Sequence, residues 1–305
     1  MGPDTRVLEP HTRLLPILEA LLVTLLWSSS FILIKLGLTE ISPLFFAAVR
    51  YTLAFAILII FNTAVEGHKI GSGIDSRTWG FLITLGLAGY TIAQGFQFVG
   101  LAYLPAVTTA FILNFTPLFV LFLGIWFLRE TPSRLQLIGI AVALIGAYLY
   151  FQTNITINEI VGSLIVLASG WAWAIYMVIT RSFQKLGRLS SLRLTTLTMG
   201  FGSLGMIILA IALEGFRPIS MTGWSIILWL SFVNTALAFY LWNHILKTLR
   251  AYELSILQNT MLVQIAILAW IFLGEKIIPP TAVGMGLVIL GVALVQFQAN
   301  KMSQA

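Results

Sequence analysis

The chain of 305 residues has no cysteine, which excludes disulfides, thiolate catalysis and cysteine metal sites together. Charge is nearly as scarce. Only 9% of residues are Asp, Glu, Lys or Arg, where a soluble globule carries about 25%. With 59% hydrophobic residues and a mean hydropathy of +0.97, the composition is that of an integral membrane protein. The three histidines, His11, His68 and His244, stand in separate segments, and no Asp falls inside a long apolar run. Paired aspartates, a His-Glu-x-x-His helix and a Ser-His pair are therefore all missing, so no enzyme and no cofactor are expected. A Gly-Lys-Ser/Thr phosphate loop is missing as well, so any transport would be secondary.

What the chain does have is long apolar runs. A helix crossing the hydrocarbon core needs about 20 residues. Ten such runs can be drawn, at 14–36, 44–62, 79–100, 104–128, 135–151, 160–181, 192–213, 224–246, 254–273 and 281–298. The net charge of +6 points to membrane orientation and not to nucleic acid, because the basic residues cluster between these runs. Thirteen Lys and Arg fall on one side of the ten-span layout and three (Lys35, Arg217, Lys276) on the other. The positive-inside bias then predicts cytoplasmic termini, in a plasma (inner) membrane. The polar segment 1–13 and the tail 299–305 flank the spans.

The second half repeats the first at an offset of 145 residues. Trp79 falls on Trp224, Leu104 on Leu249, Ala106 on Ala251, Asn114 on Asn259, Glu130 on Glu275, Gly139 on Gly284 and Gly146 on Gly291. A duplicated unit is the first thing to seek in a sequence. Five spans per copy is an odd number, so the second copy must enter from the opposite side. The expected fold is all-α, ten transmembrane helices as two inverted five-helix repeats, 14–151 and 160–298. Inverted repeats recur in secondary transporters.

The doubled pattern resembles the EamA family of the drug/metabolite transporter superfamily. The residues that carry the likeness are Leu128, Arg129 and Glu130 with Leu273, Gly274 and Glu275, the Gly-spaced final helices, the run Trp27, Ser28, Ser29, Ser30 and Phe31 ahead of Lys35, and Arg50 early in the second span. The likeness covers about 14–298. Two departures stand out: Pro117 corresponds to Leu262, and Arg50 has no basic counterpart. The resemblance implies export of amino acids and other small metabolites.

Polar side chains in mid-span usually face the bundle interior. On that filter Tyr90, Gln94 and Gln97 share a face of the third span, and Asn114, Asn234, Gln258 and Asn259 lie at mid-depth in the fourth, eighth and ninth. Trp27 and Trp173 are deep aromatics with an indole N–H to satisfy. These nine are the candidate substrate-binding residues, in a cavity walled by the first, third, fourth, sixth, eighth and ninth spans. Interhelical hydrogen bonding is the competing role for each amide.

Four further residues are candidates for structure or gating. Pro117 removes a helix hydrogen bond and loosens the chain near Leu113 and Asn114. Glu130 and Glu275 end spans, where they would lock hairpins by capping or by pairing with Arg134 and Lys276. Arg50 is the clear intramembrane charge, and two readings stay open: it binds a substrate carboxylate, or it snorkels to the nearby surface. The expected partners are a small-molecule substrate and the lipid bilayer, with the protein a monomer or homodimer. Efflux of amphipathic toxic compounds is the alternative cargo, and a non-transporting scaffold subunit the alternative role.

Overall fold

The computed structural model describes residues 10–67, 70–128, 133–150, 156–185, 189–215, 218–245 and 251–302. Within them the chain is all helix and turn. In order come α1 (Pro10–Gly37), α2 (Pro43–Glu66), α3 (Ser76–Gly86), α4 (Ala93–Tyr103), α5 (Ala106–Leu113), α6 (Thr116–Leu128), α7 (Arg134–Tyr150), α8 (Ile157–Lys185), α9 (Ser191–Leu213), α10 (Met221–Ser231), α11 (Ala238–Ile245), α12 (Ala251–Leu273) and α13 (Pro279–Met302). A π segment, Leu87–Ile92, joins α3 to α4, and a second, Phe232–Leu237, joins α10 to α11. The two are 145 residues apart, the offset at which the sequence repeats.

Among the described residues, seven helical stretches are long and apolar enough to cross a membrane, and three shorter apolar ones are Arg134–Tyr150, Thr260–Leu273 and Pro279–Leu294. Starts and stops follow local chemistry. Ser190 Oγ accepts the N–H of Arg193 at 3.1 Å and Ser220 Oγ that of Gly223 at 3.0 Å, each taking up a free donor of a first turn. Pro43 opens α2, where no N–H is needed.

Close helix crossings are made by glycine. A Cβ on Gly146 would lie 2.7 Å from Gly284 O, one on Gly284 2.7 Å from Gly146 O, and one on Gly291 2.5 Å from Gly139 O. So α7 and α13 run antiparallel in backbone contact, Gly139 against Gly291 and Gly146 against Gly284. α2 packs on α9, α4 on α8 and α1 on α12. Without a hydrophobic drive between helices in lipid, close van der Waals contact is what such small residues supply. Gly291→Leu is therefore expected to lower the thermal midpoint of the detergent-purified protein, by the equivalent of about 1–3 kcal/mol of overpacking. Gly286, where a Cβ would meet nothing within 4 Å, is the control. Equal midpoints for Gly291→Leu and Gly286→Leu would show that the α7–α13 crossing is not closely packed.

Candidate functional site

The two π segments meet the middle of the bundle. A wide turn adds a residue and re-aims the side chains around it, which is why such turns concentrate at functional sites. The first presents Tyr90, fully buried, and Thr91, whose hydroxyl donates to Gly202 O at 2.7 Å. Tyr90 is enclosed by rings from three other spans: Tyr176 at 5.6 Å between centroids, Tyr51 at 5.7 Å and Phe239 at 6.4 Å. Its hydroxyl lies 3.4 Å from that of Tyr176. Trp173 stacks on Tyr176 at 4.9 Å, and Trp27 continues the column through Phe239 at 5.6 Å and Trp242 at 4.9 Å. Tyr51 hydroxyl donates to Gln94 Oε1 at 2.8 Å, tying α2 to α4.

The second π segment presents Asn234 and Thr235, both fully buried. Thr235 Oγ1 donates to Leu230 O at 2.9 Å and accepts from Arg50 Nε at 2.9 Å. Arg50 is 4% exposed, so it does not snorkel. Its guanidinium carbon sits 5.4 Å from the Tyr51 ring centroid and 5.8 Å from that of Phe98, and its carbonyl accepts from Ser231 Oγ at 3.0 Å. What turns it inward is the facing hydroxyl of Thr235, a partner that the second span alone could not reveal. The sequence reading left the second span out of the lining, yet that span supplies both Arg50 and Tyr51.

A separate amide network joins the first, eighth and ninth spans. Asn234 Nδ2 donates to Leu26 O and, at 2.9 Å, to Ser29 Oγ. Ser28 Oγ donates to Gln264 Oε1 at 2.9 Å, and Gln264 Nε2 to Thr24 Oγ1 and Thr260 Oγ1, both at 3.1 Å. Sequence reasoning missed Gln264. The signal was available, because it is an amide inside an apolar run one and a half turns past Gln258.

Other candidates stand apart. Gln97 and Gln258 are half-buried. Asn114 lies where the fourth span breaks, after Leu113 and ahead of Pro117, and its Nδ2 is buried without a partner among the described residues. Glu275 caps the start of α5: Oε1 accepts from Ala106 N at 2.8 Å and Oε2 from Val107 N at 3.1 Å. That helix is 169 residues away in sequence, so the contact locks distant spans and not the local hairpin. Lys35 reaches the same turn, donating to Leu101 O and Leu104 O at 2.7 Å each. Glu130 and the side chain of Asn259 lie outside the described residues.

Comparison with known proteins agrees with this architecture. A Bacillus subtilis (strain 168) protein named Uncharacterized transporter YyaM is 30% identical over 274 residues, 87% of this chain and 88% of that one. A Salmonella typhimurium protein named Probable amino-acid metabolite efflux pump is 27% identical over 286 residues, 89% and 91% of the two chains. A solved crystal structure superposes with a TM-score of 0.68 at 18% identity, covering 93% of this chain and 98% of the other, a likeness of fold alone. The family model of EamA-like transporters matches twice, at 14–152 and at 160–297. With both halves of its sequence matched, the chain belongs to the EamA-like transporter family.

Proposed function

We propose that the protein is a secondary transporter of the plasma (inner) membrane, with both termini cytoplasmic, that exports amino acids or related small metabolites by alternating access. In this reading ten spans form two inverted five-helix halves, 14–151 and 160–298. The α7–α13 crossing supports it, because the offset of 145 converts the Gly139–Gly291 contact into Gly284–Gly146, its own neighbour. A crossing that maps onto itself is what a two-fold axis between inverted halves produces.

The observation that carries the choice of cargo is the chemistry of the centre. Amides, hydroxyls and aromatic rings surround one cation, Arg50, with no mid-span acid to hold a permanently cationic drug, since Glu19 lies near the cytoplasmic end of the first run. Such a wall suits a small zwitterionic or carboxylate-bearing solute, and the name of the Salmonella relative points the same way. The proposed lining combines Arg50, Tyr51, Tyr90, Gln94, Trp173, Asn234 and Thr235 with Trp27, while Gln97, Asn114, Gln258 and Asn259 extend it toward the third, fourth and ninth spans. With no mid-span Asp or Glu to relay a proton, movement is downhill.

The test is uptake of a labelled amino-acid panel by the purified protein in liposomes, with and without an imposed pH gradient. Wild type is expected to equilibrate at least one amino acid in the absence of the gradient, and Gln94→Ala to lose about nine-tenths of that rate, since it cuts the half-buried bond to Tyr51. Flux of amphipathic drugs without any amino-acid flux refutes the assignment. Accumulation that appears only with the gradient refutes the uncoupled mechanism.

A further inference from the structure

We propose that the guanidinium of Arg50 is the seat of the substrate's carboxylate, so that the transporter selects solutes by a free carboxylate and rejects their amides and amines. The inference rests on the transport reading of the same site and adds the recognition element that reading lacks.

A guanidinium keeps its proton under all physiological conditions, so burial cannot neutralise Arg50 as it can a lysine. An ion withdrawn from water costs several kcal/mol unless an opposite charge and hydrogen bonds replace the solvent. The protein around Arg50 replaces it only in part. One neutral hydroxyl, Thr235 Oγ1, takes the Nε proton at 2.9 Å, and the rings of Tyr51 and Phe98 flank the carbon. Ring faces contribute about 0.5–2 kcal/mol each at best, too little to stand for a counter-ion.

A carboxylate at the start of the same helix is already engaged. Glu214 accepts from Leu44 N at 3.0 Å and Phe45 N at 2.9 Å, at the opening of the same helix that carries Arg50. Glu275 is engaged in the same way on Ala106 and Val107. Among the described residues no carboxylate pairs with Arg50.

The geometry also says how a ligand would be held. With Nε spent on Thr235, the two terminal amino groups remain, and they present a parallel pair of N–H donors end-on. A carboxylate matches that pair with two charge-assisted hydrogen bonds. One residue before Thr235 on the same π segment, Asn234 Oδ1 is buried and has no donor among the described residues. An acceptor there complements an ammonium. Asn234 turns toward Leu26 and Ser29 of the first span while Thr235 turns toward Arg50 of the second, so the carboxylate seat rests on Arg50 alone.

The experiment uses the full-length protein in liposomes and a matched trio of competitors: an amino acid that the wild type transports, its carboxamide and its decarboxylated amine. For wild type the carboxamide and the amine are expected to compete about 30-fold more weakly than the acid, the value of a charge-assisted hydrogen bond pair partly offset by desolvation. Arg50→Gln is expected to bring the three within about threefold of one another, and Arg50→Lys to preserve the order at reduced affinity. A purely structural arginine would lower all three alike and leave the ratio unchanged, which overturns the proposal. If Arg50→Gln does not fold, Arg50→Lys carries the test, since a structural arginine predicts the wild-type ratio in that variant and a carboxylate seat predicts a smaller one. Equal competition by acid and carboxamide, with amino-acid flux intact, overturns the carboxylate seat and leaves the transport reading standing; absence of amino-acid flux removes both.

Discussion

Glu275→Ala is expected to be among the most destabilising single substitutions in the chain, lowering stability by about 2–4 kcal/mol. The turn between the third and fourth spans is held by two opposite charges. The Glu275 carboxylate takes the N–H groups of Ala106 and Val107, donors that the first turn of α5 cannot satisfy for itself, and the helix dipole favours an anion at that place. The Lys35 ammonium takes the carbonyls of Leu101 and Leu104, at the closing turn of α4, where the dipole favours a cation. Alanine removes two charge-assisted bonds and leaves Lys35 without the anion that balances it. The thermal midpoint in detergent measures the loss. Glu159→Ala, which disturbs only an exposed capping box with Thr156, should cost much less. A midpoint for Glu275→Ala within the error of wild type would sink the idea of a charged clamp.

Thr235→Val is the second large effect. The exchange conserves shape and deletes one oxygen, which both donates to Leu230 O and accepts from Arg50 Nε. A buried, charged N–H left without an acceptor costs about 1.5–3 kcal/mol. The expected result is a lower thermal midpoint together with at least a tenfold drop in transport, because the guanidinium is freed from the orientation that Thr235 imposes. Thr235→Ser keeps the oxygen and should restore most of both. If Thr235→Val transports like wild type, Arg50 is not positioned by this bond and the centre must be drawn differently.

The all-helical fold was legible because lipid permits so few alternatives. Backbone groups must be satisfied within each spanning segment, so apolar runs declare themselves. The helix break ahead of Pro117 was legible for a similar local reason, the missing N–H. Partners across the bundle were not. Glu275 read as a hairpin residue because its sequence neighbours include Lys276, whereas folding brings it to Ala106. Arg50 left two readings open, since its depth depends on what the eighth span places opposite. Tyr90 and Gln94, read as one stripe with Gln97, do meet a common partner, Tyr51, but Tyr90 reaches it from the π turn at Leu87–Ile92. Nothing in residue identity announced that turn.

The pair of π turns also records something of the chain's history. The offset of 145 holds before the turn, at Trp79 and Trp224, and after it, at Leu101 and Leu246. Had one copy alone acquired the extra residue, the offset on the two sides would differ by one. Both copies carry the same count, and the wide turns fall at matching positions, Leu87–Ile92 and Phe232–Leu237. The simplest genealogy places the irregularity in the ancestral half, before duplication. Since then the two descendants have diverged in what they mount on it: a tyrosine in a ring cluster on one, and on the other a threonine that holds an arginine.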